Sequence, residues 1–339
     1  MIRKAISKVV QGEDLSVEEM CEVMNQIVNG AATESQVAAL LTGLRMKGEK
    51  PEEIIGALNV LKEKAKRVEL PYYPLIDVVG TGGDGSGTFN VSTTCALVLA
   101  GGGVKVAKHG NRALSSLCGS ADVLEALGAR IDLDPDGVKR LLESTGFAFL
   151  FAPFFHPALR NVQKPRQEIG IRTIFNILGP LANPASPTHM LLGVAEKGMC
   201  EIYADVLIRL GIEKAAVVHG LDGLDEISVG ERTIVFEIDG RKLEKYLISP
   251  WEFGIKKAKS EDIKGGNPQE NMLIVKAILE GKEKGPKRDI VVINAGFGFY
   301  LVGMTKSLQE GISYAMEIID SGAALKVLNA YVRESQACF

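Results

Sequence analysis

Hydrophobic and polar residues change period partway along this chain. Over roughly the first seventy residues apolar positions recur at three- and four-residue spacing, the period of helices with one buried face. Ser16-Val17-Glu18-Glu19 and Thr33-Glu34-Ser35-Gln36 are capping-box patterns, each opening an amphipathic run. Pro51, followed by Glu52 and Glu53, opens a third helix, since proline has no N–H to lose at the first helical position.

After Pro71-Tyr72-Tyr73-Pro74 the pattern becomes short apolar runs alternating with helical stretches. That alternation predicts an α/β fold with a central, mostly parallel sheet. Strands are expected at 75–79, 104–107, 147–151, 215–218, 234–238 and 244–248. Helices are expected near 92–101, 121–128, 135–145, 199–210, 268–281, 306–321 and 322–334. The 135–145 helix is framed by Asp134 as N-cap, Pro135 and a terminal Gly146. Two domains follow: a helical one over 1–70 and an α/β one over 71–339. Segment 171–190 (IRTIFNILGPLANPASPTHM) fits neither period and reads as a crossing segment returning to the helical domain.

Composition narrows the function. With 39 basic and 42 acidic residues the net charge is −3, so no global basic field exists to hold nucleic acid or acidic lipid. Cys21, Cys95, Cys118, Cys200 and Cys338 show no CxxC spacing, which suits neither a disulfide framework nor a zinc site. The N-terminus lacks a secretory pattern, and the most apolar stretch, Ile290 to Met304, is shorter than the ~20 residues that span a bilayer. A cytoplasmic protein is expected.

Four segments carry chemistry. The first, Gly80-Thr81-Gly82-Gly83-Asp84-Gly85-Ser86-Gly87-Thr88-Phe89-Asn90-Val91-Ser92-Thr93, lies between a strand and a helix. Glycines let backbone N–H groups approach a ligand, and the following helix adds unpaired N–H groups and a positive dipole end, so the segment reads as a phosphate cradle. Gly80, Gly82 and Gly85 satisfy the dinucleotide pattern, which wants an acid about 20 residues on. The next strand ends instead in Lys108-His109. A Walker A reading fails because Gly87 is followed by Thr88 rather than lysine.

The second segment, Lys108 through Ser120, supplies a lysine charge and serine hydroxyls, with Ser120 placed to cap the next helix. Two phosphate-binding elements on neighbouring strand ends imply a ligand with phosphates at two places. The third, His219-Gly220-Leu221-Asp222-Gly223-Leu224-Asp225-Glu226, brings acids toward that cradle, which is repulsive unless a cation lies between. Mg2+ typically uses one or two carboxylates plus phosphate oxygens. Because Asp225 and Glu226 are adjacent, a loop, or two metals bridged by Glu226, is expected. The fourth is Lys164-Pro165-Arg166, where an arginine can fork onto a planar carboxylate. His109, His156, His189 and His219 have no metal spacing; His109 alone has functional neighbours.

Taken in order, GTGGDGSGTFNVST, KHGNRALSSLCGSADVLEALG, RTIFNILGPLANP and HGLDGLDEI, with a late GGNPQEN, resemble the anthranilate phosphoribosyltransferase family over nearly the whole chain. The resemblance implies the fold of pyrimidine nucleoside phosphorylases and a homodimer formed through the helical domain. It also implies transfer of phosphoribose from phosphoribosyl pyrophosphate to anthranilate in tryptophan biosynthesis. By motif position, Gly80, Gly83, Asp84, Thr88, Asn90, Val91, Ser92 and Thr93 would contact phosphoribosyl pyrophosphate. Lys108, His109, Gly110, Asn111, Arg112, Ala113, Leu114, Ser115, Ser116 and Ser120 would complete that site. Ser92 and Glu226 would hold one Mg2+, Asp225 and Glu226 a second. Gly80, Asn111 and Arg166 would bind anthranilate, and His109 and Pro180 would line its tunnel.

A stretch read as a late strand, Ile293 to Tyr300, departs from the family's alanine-rich run and bears on core packing. Two rivals are a pyrimidine nucleoside phosphorylase, with less need of Asp225 and Glu226, and a non-catalytic nucleic-acid-binding relative, which the acidic balance disfavours.

Overall fold

The computed structural model describes residues 1–113 and 116–337. Leu114, Ser115 and Cys338, each singled out above, lie outside the described residues. The chain opens with helices α1 (Ile2–Val10), α2 (Val17–Val28), α3 (Glu34–Lys47) and α4 (Pro51–Lys64). Then come β1 (Leu75–Gly80), α5 (Val91–Gly101), β2 (Lys105–Gly110), α6 (Ser120–Ala126), α7 (Pro135–Thr145) and β3 (Phe147–Phe151). Short α8 (Ala152–Phe155) leads to α9 (Arg160–Ile169) and α10 (Ile174–Leu181). After these follow β4 (His189–Gly193), α11 (Cys200–Arg209), β5 (Lys214–Gly220), β6 (Thr233–Asp239) and β7 (Lys242–Ile248). The chain closes with α12 (Pro268–Leu279), α13 (Pro286–Leu301), α14 (Leu308–Asp320) and α15 (Ala323–Ala337).

Two compact units result, one of Met1–Arg67 with Ala152–Pro184, the other of Val68–Phe151 with Ala185–Phe339. In the helical unit both capping boxes form: Ser16 with Glu19 opens α2, and Thr33 with Gln36 opens α3. Met20, Met24, Leu40, Leu44, Ile54 and Leu58 form its dry interior. The returning segment is longer and earlier than expected, 152–184 rather than 171–190. Its α9 is strongly polar, with only Val162, Pro165 and Ile169 apolar and a proline inside the helix, whereas residues 189–190 already belong to a strand.

The second unit holds a seven-stranded sheet in the order β3-β2-β1-β4-β5-β6-β7. The first five strands are parallel, and β6 and β7 add an antiparallel hairpin. Strand β4 was not expected; its five residues are entirely buried and show no alternation. Such a run, following directly on the Pro- and Ala-rich 180–187, has no polar partner positions to mark it as a strand. The supposed late strand at 293–300 is part of α13. A helix buried on all sides and a buried strand share one apolar signature, and only length separates them. Gly296 explains the departure noted there: a Cβ on it would lie 2.7 Å from the Ile312 nitrogen, so the glycine lets α13 and α14 cross in near backbone contact.

Among the described residues, no helix is long and apolar enough to cross a membrane.

Candidate active site

Strands β2, β1, β4 and β5 all end on glycine at one edge of the sheet: Gly110, Gly80, Gly193 and Gly220. The chain order reverses between β1 and β4, the position where open α/β sheets leave a ligand crevice. Here the glycines serve close approach. A Cβ on Gly193 would overlap the Asp225 carbonyl, and one on Gly80 would overlap the Asp225 carboxylate. The acidic loop therefore lies directly on the tips of β1 and β4.

The glycine segment leaves β1 with positive φ at Gly82, Gly83, Gly85 and Gly87, between 65° and 71°. Asp84 organises the turn by accepting from the Ser86 N–H at 3.1 Å and the Ser86 hydroxyl at 2.7 Å. A strap at 263–266 braces the far side: Gly265 N–H donates to the Gly87 carbonyl at 2.9 Å, and Thr88 pairs antiparallel with Lys264. Asn90 is the N-cap residue of α5 but makes no side-chain cap. Thr93, in the first turn, is buried and its hydroxyl has no hydrogen-bond partner among the described residues.

Asp225 and Glu226 lie in the expected loop, and both are buried. Gly82 N–H donates to Asp225 Oδ2 at 2.6 Å. Burial, then repulsion from Asp84, pushes the Asp225 carboxyl up to about 7. Burial and the neighbouring Asp225 drive Glu226 well upward, although Lys108 and the Ser92 N–H oppose this. Glycine tips thus let the Asp225–Glu226 loop lie on the sheet edge, where the two buried acids repel each other and feel Asp84. Among the described residues no three acidic, histidine or cysteine side chains cluster closely enough to hold a metal ion by themselves.

Several expected positions fall elsewhere. Lys108, His109 and Gly110 are in strand β2 rather than a loop, so alternate residues face opposite ways. Lys108 is buried: its ammonium donates to the Val78 carbonyl at 2.5 Å and Ser92 Oγ at 3.2 Å, and burial lowers its pKa. It underlies the cradle instead of projecting from a loop. Beside it, the buried Asp77 carboxylate accepts from the His109 backbone N–H at 3.4 Å. Asp77 was passed over, yet an acid inside the apolar run LIDVV is a signal open to the sequence.

Arg112 is held by Asp122 and Glu125, its Nη2 donating to Glu125 Oε1 at 2.9 Å, so acids already engage its charge. Ser120 is the first residue of α6 rather than its cap: its hydroxyl donates to the Asn111 carbonyl at 3.2 Å. The Asp122 carboxylate instead accepts from Ala113 and Gly119 N–H, both at 2.9 Å. Asn111 is exposed, Ala113 half-buried, and Ser116 leans its hydroxyl on the Cys118 carbonyl at 3.5 Å. Burial pushes the Cys118 thiol up to about 11, which keeps it protonated near neutrality.

His156, His189 and His219 play structural parts, with ring nitrogens on the Ala182 carbonyl, Thr188 hydroxyl and Val194 carbonyl respectively. In the helical unit, Arg166 on α9 stacks over the Phe175 ring at 5.4 Å. Burial alone lowers its pKa, and it has no acidic partner among the described residues. Pro180 is buried within α10.

Residues 72–325 match the glycosyl transferase family, a/b domain, and residues 3–65 match that family's helical bundle domain. The chain is therefore a member of that glycosyl transferase family. The anthranilate phosphoribosyltransferase of Persephonella marina is 51% identical over 329 residues, covering 97% of each chain. The crystal structure of the enzyme of that name from Thermus thermophilus is 45% identical, with TM-score 0.92 over 98% of this chain and 99% of that one. A Saccharomyces cerevisiae anthranilate phosphoribosyltransferase in complex with PRPP and Mg is 31% identical, with TM-score 0.92 over 99% and 98%. The chain belongs to the anthranilate phosphoribosyltransferase family.

Proposed function

We infer that this chain transfers the phosphoribosyl group of phosphoribosyl pyrophosphate to the amine of anthranilate, giving N-(5-phosphoribosyl)anthranilate and pyrophosphate in tryptophan biosynthesis. One observation carries the reading. A glycine cradle and a helix N-terminus without a side-chain cap accompany two buried, mutually repelling carboxylates, Asp225 and Glu226, with the half-buried Asp84 adding to the repulsion, a combination that favours a polyphosphate ligand accompanied by cations.

The donor set suits Mg2+: hard oxygens from Asp225, Glu226 and Ser92, with carboxyls pushed upward by burial and by one another, which a bound cation would offset. We assign two ions, one to Ser92 and Glu226 and one to Asp225 and Glu226. When bound, Mg2+ neutralises charge on the diphosphate leaving group.

The chain's own groups do the rest. Gly80, Gly83, Asp84, Thr88, Asn90, Val91, Ser92 and Thr93 form the phosphate-binding edge, where backbone donors meet charge that builds as the leaving group departs. Lys108, fixed beneath by Val78 and Ser92, adds positive potential from the interior. Arg166 supplies the guanidinium for the anthranilate carboxylate; its desolvation without an acidic partner supports that role. Orientation then lets the amine lone pair attack C1 of the ribose as the C1–O bond to the departing pyrophosphate breaks on the opposite side, the nitrogen afterwards losing its extra proton to solvent. The protonated, hydrogen-bonded Cys118 agrees with direct transfer that uses no thiolate nucleophile. Exposed Val10 and Met46 on α1 and α3 support homodimer formation through the helical unit.

The test is the fluorescence loss of anthranilate on adding phosphoribosyl pyrophosphate and Mg2+, run beside uridine with inorganic phosphate. Turnover in the first mixture and none in the second is expected. The reverse would replace this reading with a nucleoside phosphorylase.

A further inference from the structure

Two asparagines in the α/β unit occupy the same helix position and behave in opposite ways. Asn267 caps α12 conventionally, its Oδ1 accepting from Gln269 N–H at 3.0 Å and Glu270 N–H at 3.1 Å, with extended backbone at ψ 171°. Asn90 is the N-cap of α5 yet caps nothing. Its φ of −72° and ψ of 70° make it the centre of an inverse γ-turn, closed by Val91 N–H on the Phe89 carbonyl at 2.7 Å.

The Asn90 side chain is committed elsewhere. Its Oδ1 accepts from Asn271 Nδ2 at 2.9 Å and from the Cys118 thiol at 3.4 Å, and its Nδ2 donates to the Cys118 carbonyl at 3.2 Å. Asn271 is itself fixed. It is 1% exposed, sits one turn into α12, and its Oδ1 accepts from Gly266 N–H at 2.7 Å. A Cβ on Gly265 would lie 2.5 Å from that same oxygen and 2.6 Å from the Phe89 Cα, so the strap packs directly against this bond. Alongside, the buried Thr93 hydroxyl has no partner among the described residues.

We propose that Asn271 is a positioning residue that holds Asn90 out of the capping conformation, and so keeps the N-terminus of α5 open for a substrate phosphate. Val91 N–H already bonds the Phe89 carbonyl and the Ser92 N–H faces Glu226, so an asparagine free to turn would take the Thr93 N–H and compete with the anion there. The proposal rests on the phosphate-binding reading given above.

The test is a double-variant cycle on the full chain, with magnesium pyrophosphate binding read by calorimetry. Asn271→Ala should weaken binding about fivefold, the factor equivalent to one N-cap interaction turned against the ligand. Asn90→Gly should weaken binding in the parent, where it cuts the bonds to Asn271 and Cys118 that hold the start of α5 in its open form. In the Asn271→Ala background it should strengthen binding, because glycine brings no side chain to the cap. Damage to packing alone cannot produce that change of sign. If Asn271→Ala is unfolded by circular dichroism, Asn271→Leu carries the same cycle, since it keeps the buried volume and has neither donor nor acceptor for Asn90. Weakening by Asn90→Gly in both backgrounds overturns the role of Asn271. Parent protein that binds no magnesium pyrophosphate overturns the underlying reading instead.

Discussion

Replacing Asp225 by asparagine separates the two things its carboxylate does. The folded-state pKa of about 7 lies some three units above the ordinary 3.8, because burial and Asp84 disfavour the charge. At about 1.36 kcal/mol per unit, ionised Asp225 destabilises the metal-free fold by up to about 4 kcal/mol. Because the folded pKa is the higher one, the folded chain binds more protons between about pH 4 and 7. The penalty is therefore absent below that window, grows through it and is complete above it. Asparagine preserves the acceptor for Gly82 N–H and abolishes the charge. In metal-free buffer at pH 8, Asp225→Asn should melt up to about 8 °C above the parent, at roughly 2 °C per kcal/mol. At pH 3.5, below the window, the two should melt nearly together. In kinetics the variant should need about tenfold more Mg2+ or greater for half-saturation. Differential scanning calorimetry at both pH values, with a Mg2+ titration of the rate, measures all of this. A variant less stable than the parent at pH 8, or equally shifted at both pH values, would refute the reasoning.

Other substitutions test neighbouring parts of the argument. Gly193→Ala, whose methyl overlaps the Asp225 carbonyl, should displace the acidic loop and raise half-saturating Mg2+ about tenfold while circular dichroism stays native. Arg166→Lys should raise the anthranilate KM about tenfold or more, since an ammonium cannot make the two-pronged carboxylate contact, and leave the phosphoribosyl pyrophosphate KM unchanged. Asp134→Ala removes the cap on Gly137 N–H at 2.7 Å and should lower urea stability by about 1 kcal/mol with unaltered steady-state constants.

What the sequence disclosed followed physical lines. Capping boxes at Ser16 and Thr33 and the Asp134–Gly146 frame are local, and each forms in the structure. The glycine cradle and the Asp225–Glu226 loop were legible because glycine and paired acids are unusual beside a strand. Strand β4 and helix α13 were not, since a fully buried segment has no polar face to betray its period. The burial of Lys108 depends on which way β2 faces the sheet, and that register is set by neighbours far away in the chain. Asn271 was visible only as part of GGNPQEN; its grip on Asn90 spans 181 residues of separation and leaves no spacing to read.

The crossing of α13 and α14 reaches further than core packing. Asn294, two residues before Gly296 on α13, clasps the backbone of Ile227 with Oδ1 and Nδ2, both at 2.9 Å. Ile227 directly follows Glu226. A helix pushed aside by a larger residue at Gly296 or Gly311 would drag that clasp, and the acids with it. Glycine inside a helix invites replacement by alanine during evolutionary drift or stability engineering. At these two positions such gains would be purchased from chemistry performed at the opposite end of the same tether.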